Sequence, residues 1–97
     1  MRNDILFHGI IEGQGRVISV NTAEADPTLM IDASAFPERV DTDESMAVNG
    51  VCLTVQSASN GLLTFNLWPA TLEKTNLSQL EPGMAVNLEK NRRASSN

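Results

Sequence analysis

The chain has 97 residues, of which 41% are hydrophobic and 20% charged, so it is long enough for one small globular domain with a core of limited size. Seven Lys and Arg against twelve Asp and Glu give a net charge of −5. This balance argues against nucleic-acid binding, which depends on a basic patch that neutralises phosphates. No apolar stretch approaches the roughly 18 residues of a membrane span, and we expect a cytoplasmic protein.

Cys52 is the only cysteine and His8 the only histidine. A single cysteine excludes an intramolecular disulfide and a cysteine-based metal site, and it fits a reducing compartment. A nucleophile–base pair would have to join Cys52 to His8, and no local catalytic signature surrounds either residue. We therefore predict neither a catalytic residue nor a metal site.

The first half of the chain has the pattern of β-strands. Residues 9–20 form one long candidate strand in which Gly13 and Gly15 would mark a bulge or bend. Residues 28–32 are a second strand, and residues 35–40 are too short for a stable helix and indicate a single turn.

A hairpin follows an acidic loop at residues 41–44. Residues 46–48 and 51–58 are its strands, and Asn49-Gly50 between them is the strongest short signal for a type I′ turn. Along the second strand, Val51, Leu53 and Val55 alternate with Cys52, Thr54 and Gln56. One face of the strand can enter a core, and the other carries a thiol and a hydroxyl that suit a pocket wall.

Two more strands complete the pattern. Residues 62–68 alternate, and Pro69 at a first helical position predicts a short helix over residues 69–74. After a turn at residues 81–83, residues 84–89 are the last strand, and residues 91–97 are expected to be a frayed tail. Six short strands without βαβ alternation predict an all-β fold, a closed antiparallel barrel in a single domain over residues 1–97.

Trp68 is the only tryptophan, and the chain has no tyrosine. At the end of the fifth strand it is either an aromatic of the core or rim, or a stacking platform at the mouth of the barrel.

Several motifs in order resemble the riboflavin synthase family. These are FHGIIEG at residues 7–13, NGVCLTV at 49–55, FNLWPATL at 65–72, TNL at 75–77 and VNLE at 86–89. The resemblance covers nearly the whole chain. It implies a six-stranded Greek-key barrel that binds riboflavin, FMN or 6,7-dimethyl-8-ribityllumazine, as in the non-catalytic lumazine protein and yellow fluorescent protein of luminous bacteria.

The resemblance also implies where the ligand lies, namely on the first strand, the signature strand with a serine at the rim, and the segment after the fifth strand. The matching residues are Gly9, Ile10, Ile11, Ser45, Cys52, Leu53, Thr54, Asn66, Leu67, Trp68, Pro69, Ala70 and Thr71. Hydroxyl groups suit a ribityl chain and apolar side chains suit ring faces.

Departures from the family pattern bear on catalysis. Ala70 stands where the synthases tend to have glutamate, Trp68 is bulkier than the usual residue, and the sequence has one barrel where the family has two in tandem. We therefore expect a binder without efficient catalysis that forms a homodimer. The alternative is riboflavin synthase, which dismutates two lumazines, as a homodimer or an N-terminal domain fragment. A third possibility is a barrel that only mediates interactions.

Overall fold

The computed structural model describes residues 10–22 and 25–91, which form six strands and one short α-helix. In chain order the elements are β1 (Ile10–Asn21), β2 (Thr28–Asp32), β3 (Ser45–Val48), β4 (Val51–Ser59), β5 (Leu62–Asn66), α1 (Pro69–Lys74), a 3₁₀ turn (Leu77–Gln79) and β6 (Ala85–Asn91). The predicted tail, apart from Asn91, lies outside the described residues. None of the described helices is long and apolar enough to cross a membrane.

The strands close into an antiparallel barrel in the order β1-β2-β5-β4-β3-β6. Strands β3, β4 and β5 follow one another as hairpins, and β6 returns to lie beside β3, which is the Greek-key arrangement. The predicted all-β barrel is confirmed. Closure pairs each described strand on both sides, so a short sheet presents no long free edge to another chain.

The core follows directly from the two-residue period of the strands. Inward side chains such as Leu29, Val48, Val55, Phe65 and Leu88 are fully buried and fill the interior. Burying one such side chain stabilises the fold by roughly 1.5–3 kcal/mol. The interior of the barrel is therefore a packed core, and outward side chains must carry any ligand site on the strands.

The two glycines of β1 have a different role from the predicted one. The register with β6 runs unbroken through both, pairing Gly13 with Leu88 and Gly15 with Val86, so neither glycine marks a β-bulge. A Cβ on Gly15 would lie 2.7 Å from Cγ2 of Ile31 and 2.8 Å from Cδ1 of Leu88. The glycines make room for core side chains, whereas the register shift of β1 falls further on, between Val17 and Ser19.

The predicted hairpin turns are confirmed by their backbone angles. Asn49 and Gly50 have φ of 50° and 85°, and Asn60 and Gly61 have φ of 53° and 80°. Positive φ at both central residues is the mark of a type I′ turn, and Asn-Gly tolerates it best. These turns set the registers of β3 with β4 and of β4 with β5.

The chain leaves β5 two residues earlier than predicted. The N–H of Leu67 donates to the carbonyl of Pro27 at 2.8 Å, beyond the β2–β5 ladder, and Pro69 then opens α1. Leu67 is buried, which anchors this exit, while Trp68 at the N-cap is left on the surface. The 3₁₀ turn was not predicted, and buried Leu77 fixes it to the core.

A short turn after β2 is stabilised by Asp32. The Ser34 N–H donates to Oδ1 of Asp32 at 2.9 Å. Hydrogen bonds from the Ser34 side chain and backbone, with the charge of Arg16, hold the pKa of Asp32 below its ordinary value of 3.8. This contact lies away from the residues that the sequence analysis selected.

Candidate functional site

The outer face of the β3–β4 hairpin carries the predicted pocket wall. Ser45 pairs with Thr54, and Ala47 pairs with Cys52. Leu53, between Cys52 and Thr54, points inward and is buried. Because the interior is filled, the thiol and the hydroxyl groups lie on the outside of the barrel. The predicted alternation of β4 is therefore confirmed, but its outward groups do not line an internal pocket.

The start of β1 and the start of β3 lie at the same end of the barrel. Ile10 pairs with Asn91 of β6, and β6 in turn pairs Glu89 with Ala47 of β3. Since antiparallel register advances evenly along both strands, Ile10 and Ser45 are on the same end of the barrel. Ile10 is 60% exposed. Ile11 faces the core and is buried, and Gly9 and His8 lie outside the described residues.

The segment after β5 forms a cleft with the β1–β2 connection. A cavity of about 360 Å³ is lined by residues 25–28, Gln56 and residues 66–69. Trp68 is 69% exposed beside it, the largest exposed fraction among the large hydrophobic side chains of the described chain. This exposure rules out a core position for Trp68, and a rim aromatic and a stacking platform both remain as interpretations.

Ala70 and Thr71 follow in the first turn of α1 and are not part of the lining of this cleft. Ala70 is exposed and Thr71 is partly buried. The carbonyl of Thr71 accepts a hydrogen bond from Oγ1 of Thr75 at 2.7 Å, which stabilises the C-terminal end of the helix.

A second cleft adjoins Ser45. Its volume is about 620 Å³, and its lining consists of Glu38, Thr42, Asp43, Glu44, Ser45, Lys90 and Asn91. Neither cleft is lined by Cys52 or Thr54. The outer face of β4 instead lies between them, because Thr54 is opposite Ser45 of one cleft and Gln56 belongs to the other. Ser45, Cys52, Thr54, Gln56 and Asn66 thus point outward from three neighbouring strands, and we call these five residues the polar face between the two clefts.

Several residues that line the two clefts were not predicted from the sequence. Thr28 pairs with Asn66 and lines the Trp68 cleft, but nothing in its own strand pattern identified it. The last strand was predicted to end at Glu89 and a frayed tail to begin at Asn91, whereas β6 includes both Lys90 and Asn91. Alternation along β6, with Val86 and Leu88 facing inward, was the signal that places Lys90 at the mouth of the barrel.

The predicted contact residues carry no formal charge. Their polar groups are the hydroxyls of Ser45, Thr54 and Thr71, the amide of Asn66 and the exposed thiol of Cys52. Within residues 10–22 and 25–91, no three His, Cys, Asp or Glu side chains are grouped so that they could hold a metal ion. Such a face suits a ligand with a flat ring and several hydroxyl groups.

Comparison with known proteins agrees with this chemistry. A family model described as "Lumazine binding domain" matches residues 8–91. The chain is 39% identical over 85 residues to riboflavin synthase from Bacillus subtilis (strain 168), an alignment that covers 88% of this chain and 40% of that protein.

Two further riboflavin synthases, from Mycobacterium bovis and Schizosaccharomyces pombe, are each 36% identical over 86 residues. Both alignments cover 88% of this chain, against 43% of the first relative and 41% of the second. The chain therefore spans about two fifths of the length of the curated relatives it matches.

Proposed function

Because the chain belongs to the family of lumazine-binding domains, we propose that it binds one molecule of riboflavin, FMN or 6,7-dimethyl-8-ribityllumazine without efficient catalysis. The observation that carries the proposal is the uncharged polar face between the two clefts, with exposed Trp68 at one side. Fold alone does not establish an activity, so the proposal is limited to binding.

Each group of the face has a role in this proposal. The ring system lies against β3 and β4, near Cys52, with Trp68 and Ile10 offering apolar surface to its faces. Exposed backbone groups of the segment 66–71 read the alternating donors and acceptors of the pyrimidinedione edge. The hydroxyls of Ser45, Thr54 and Thr71 bind the ribityl chain.

Two features argue for binding without turnover. The synthase reaction brings two lumazines face to face and moves protons between them, which requires groups that accept and donate protons. Ala70 has only a methyl group where the synthases tend to have a carboxylate, and the side chains of the proposed contacts are uncharged.

We also propose that the protein acts in the reducing cytoplasm, since the single thiol of Cys52 is exposed on its surface.

Titration of riboflavin, followed by quenching of its fluorescence, tests the proposal. We expect saturable one-to-one binding at micromolar protein. Thr54→Val should weaken binding about tenfold, since it removes a hydroxyl from the face and keeps the shape of the side chain. Ser19→Ala removes a hydroxyl from β1, where Ser19 is exposed and pairs with Met30 of β2, and should leave affinity unchanged. Absence of saturation with the native chain would refute the proposal.

Riboflavin synthase is the second candidate, favoured by the names of the relatives. In that case the chain acts as one barrel of a homodimer or as the N-terminal part of a longer protein. Incubation with 6,7-dimethyl-8-ribityllumazine, with detection of riboflavin, separates the two candidates. Turnover near 1 per second, within the usual range of enzymes, would favour the synthase.

A further inference from the structure

Lys90 is a charged residue on the inward face of a core strand. It follows Val86 and Leu88 in the alternation of β6 and pairs with Ile11 of β1. Its side chain is only 12% exposed. Removing an ammonium group from water is costly unless partners compensate for the lost hydration, so what Lys90 contacts determines what it does.

Three described contacts join Lys90 to the segment that connects β2 to β3. Its Nζ lies 2.7 Å from Oε1 of Glu44 and 3.6 Å from Oε2 of Glu38, and it donates to the carbonyl of Arg39 at 2.7 Å. Oε1 of Glu44 is buried and has no hydrogen bond of standard geometry. Its short contact with Lys90 is therefore best described as an ion pair, whose charge compensates the buried oxygen.

Glu44 is the residue directly before Ser45, and its backbone is bound to β4. The N–H of Val55 donates to the Glu44 carbonyl at 2.9 Å, and the N–H of Asp43 donates to the Val55 carbonyl at 2.9 Å. Asp43 has φ of 75°, a conformation that non-glycine residues adopt only when neighbouring contacts hold it. The entry to β3 is thus held by the β4 backbone on one side and by Lys90 on the other.

We propose that Lys90 is a positioning residue for the ligand-binding face. Its ammonium group holds the Glu44 carboxylate in place, and this contact keeps the next residue, Ser45, opposite Thr54. Lys90 itself lies on β6, beside the start of β1. The consequence for affinity depends on the proposed function. The positioning of the β3 entry does not, since it is a property of the free protein.

Lys90→Met tests this role because methionine keeps most of the side-chain volume and removes the charge. The Glu44 carboxylate loses its cation, so we expect the segment 41–45 to move toward water. The Val55 amide should then exchange its hydrogen faster, because its acceptor is the Glu44 carbonyl. Riboflavin affinity should fall about tenfold, within the range for substitutions that act on a site without touching the ligand.

Arg16→Met is the matched control. It removes one positive charge from β1 near the opposite end of the barrel, where Arg16 donates to the Gly83 carbonyl at 2.6 Å. We expect no change in Val55 exchange or in riboflavin affinity. Lys90→Arg keeps the charge and should restore much of both properties, which a simple loss of packing would not predict.

A double-mutant cycle separates positioning from direct ligand contact. Glu44→Gln and Lys90→Met should each accelerate Val55 exchange and weaken binding, and together they should cost little more than one alone. Additive losses, unchanged Val55 exchange, unchanged affinity despite faster exchange, or equal acceleration throughout the core would each overturn the proposal. If the native chain does not bind riboflavin, the proposed function fails, while Val55 exchange still decides whether Lys90 positions the β3 entry.

Discussion

The thiol of Cys52 is exposed on the outer face of β4, opposite Ala47. Cys52→Ser replaces a polarizable sulfur with a smaller hydroxyl at a position outside the core. We expect the variant to fold with unchanged thermal stability and to bind riboflavin with an affinity reduced by about 0.5–1 kcal/mol, as for one modest polar contact.

Mass spectrometry of the intact chain checks the chemical role of the same residue. The native protein incubated with riboflavin should show only its own mass after denaturation, because we assign Cys52 to the wall of the site and not to a nucleophile. A stable adduct that disappears in Cys52→Ser would contradict this assignment.

The position of a single side chain, inward or outward, was predictable where the sequence pattern around it is unambiguous. Alternation alone was enough to place Cys52 and Thr54 on one face and Leu53 on the other, and the structure confirms it. The position of Lys90 required knowing that β6 continues to Asn91. The glycines of β1 were misinterpreted because a missing side chain has two explanations, a bend or a close neighbour, and sequence does not distinguish them.

Strand β1 crosses the barrel with glycine where its neighbours have large inward side chains. Gly15→Ala should destabilise the fold by about 1–3 kcal/mol, the usual cost of overpacking a core. The added Cβ would lie 2.7 Å from Ile31 and 2.8 Å from Leu88, and 3.0 Å from the Asp32 carbonyl, a backbone atom with little freedom to move. Denaturant unfolding measures the change.

Gly50→Ala is an informative comparison for that experiment. A Cβ on Gly50 meets nothing within 4 Å, but its φ of 85° is unfavourable for alanine. The two variants therefore separate crowding from backbone strain. If Gly15→Ala is as stable as the native chain, β1 has more room beside the core than the structure indicates.

Element boundaries were predicted where local chemistry is decisive and missed where a distant contact decides. Asn49-Gly50 fixed its turn without help from the rest of the fold. The exit from β5 at Asn66 depends on a hydrogen bond from Leu67 to Pro27, about forty positions earlier in the chain. A local reading of residues 62–68 contains no information about that partner.

At the scale of the whole molecule, we expect two chains to associate. Ile10 and Trp68 are large apolar side chains exposed at 60% and 69%, and a flat ligand on the outside of a barrel leaves one of its own faces uncovered. A two-fold pair covers such surfaces with a single kind of contact. Light scattering should give the mass of a dimer at high concentration.

Trp68→Ser with Ile10→Ser tests whether these side chains lie at the contact. The double variant should shift the mass toward one chain. Leu62→Ser is the control, since Leu62 is an exposed apolar residue of β5, 39% accessible, that is not part of the proposed face. A native chain that remains monomeric at high concentration would contradict the expected association.

Closure of the barrel was predictable from the number and spacing of strands, but the side on which the ligand face lies was not. The alternation in β4 distinguishes two faces without saying which one encloses a cavity. Only the combined volume of Leu29, Phe65, Leu88 and their neighbours decides that the inside is full. We place the proposed ligand face on the outside because the inward residues fill the interior.

That division assigns different tasks to neighbouring positions along one strand. Leu53 packs in the core and contributes to the stability of the barrel. Cys52 and Thr54 on either side of it face outward, where we propose that the ligand binds. Substitutions at the outward positions thus sample new ligands at little risk to folding, and substitutions at the inward ones do the reverse. A library that varies only residues 45, 52 and 54 should remain folded in most of its members, which makes this barrel a tolerant starting point for evolving new specificity.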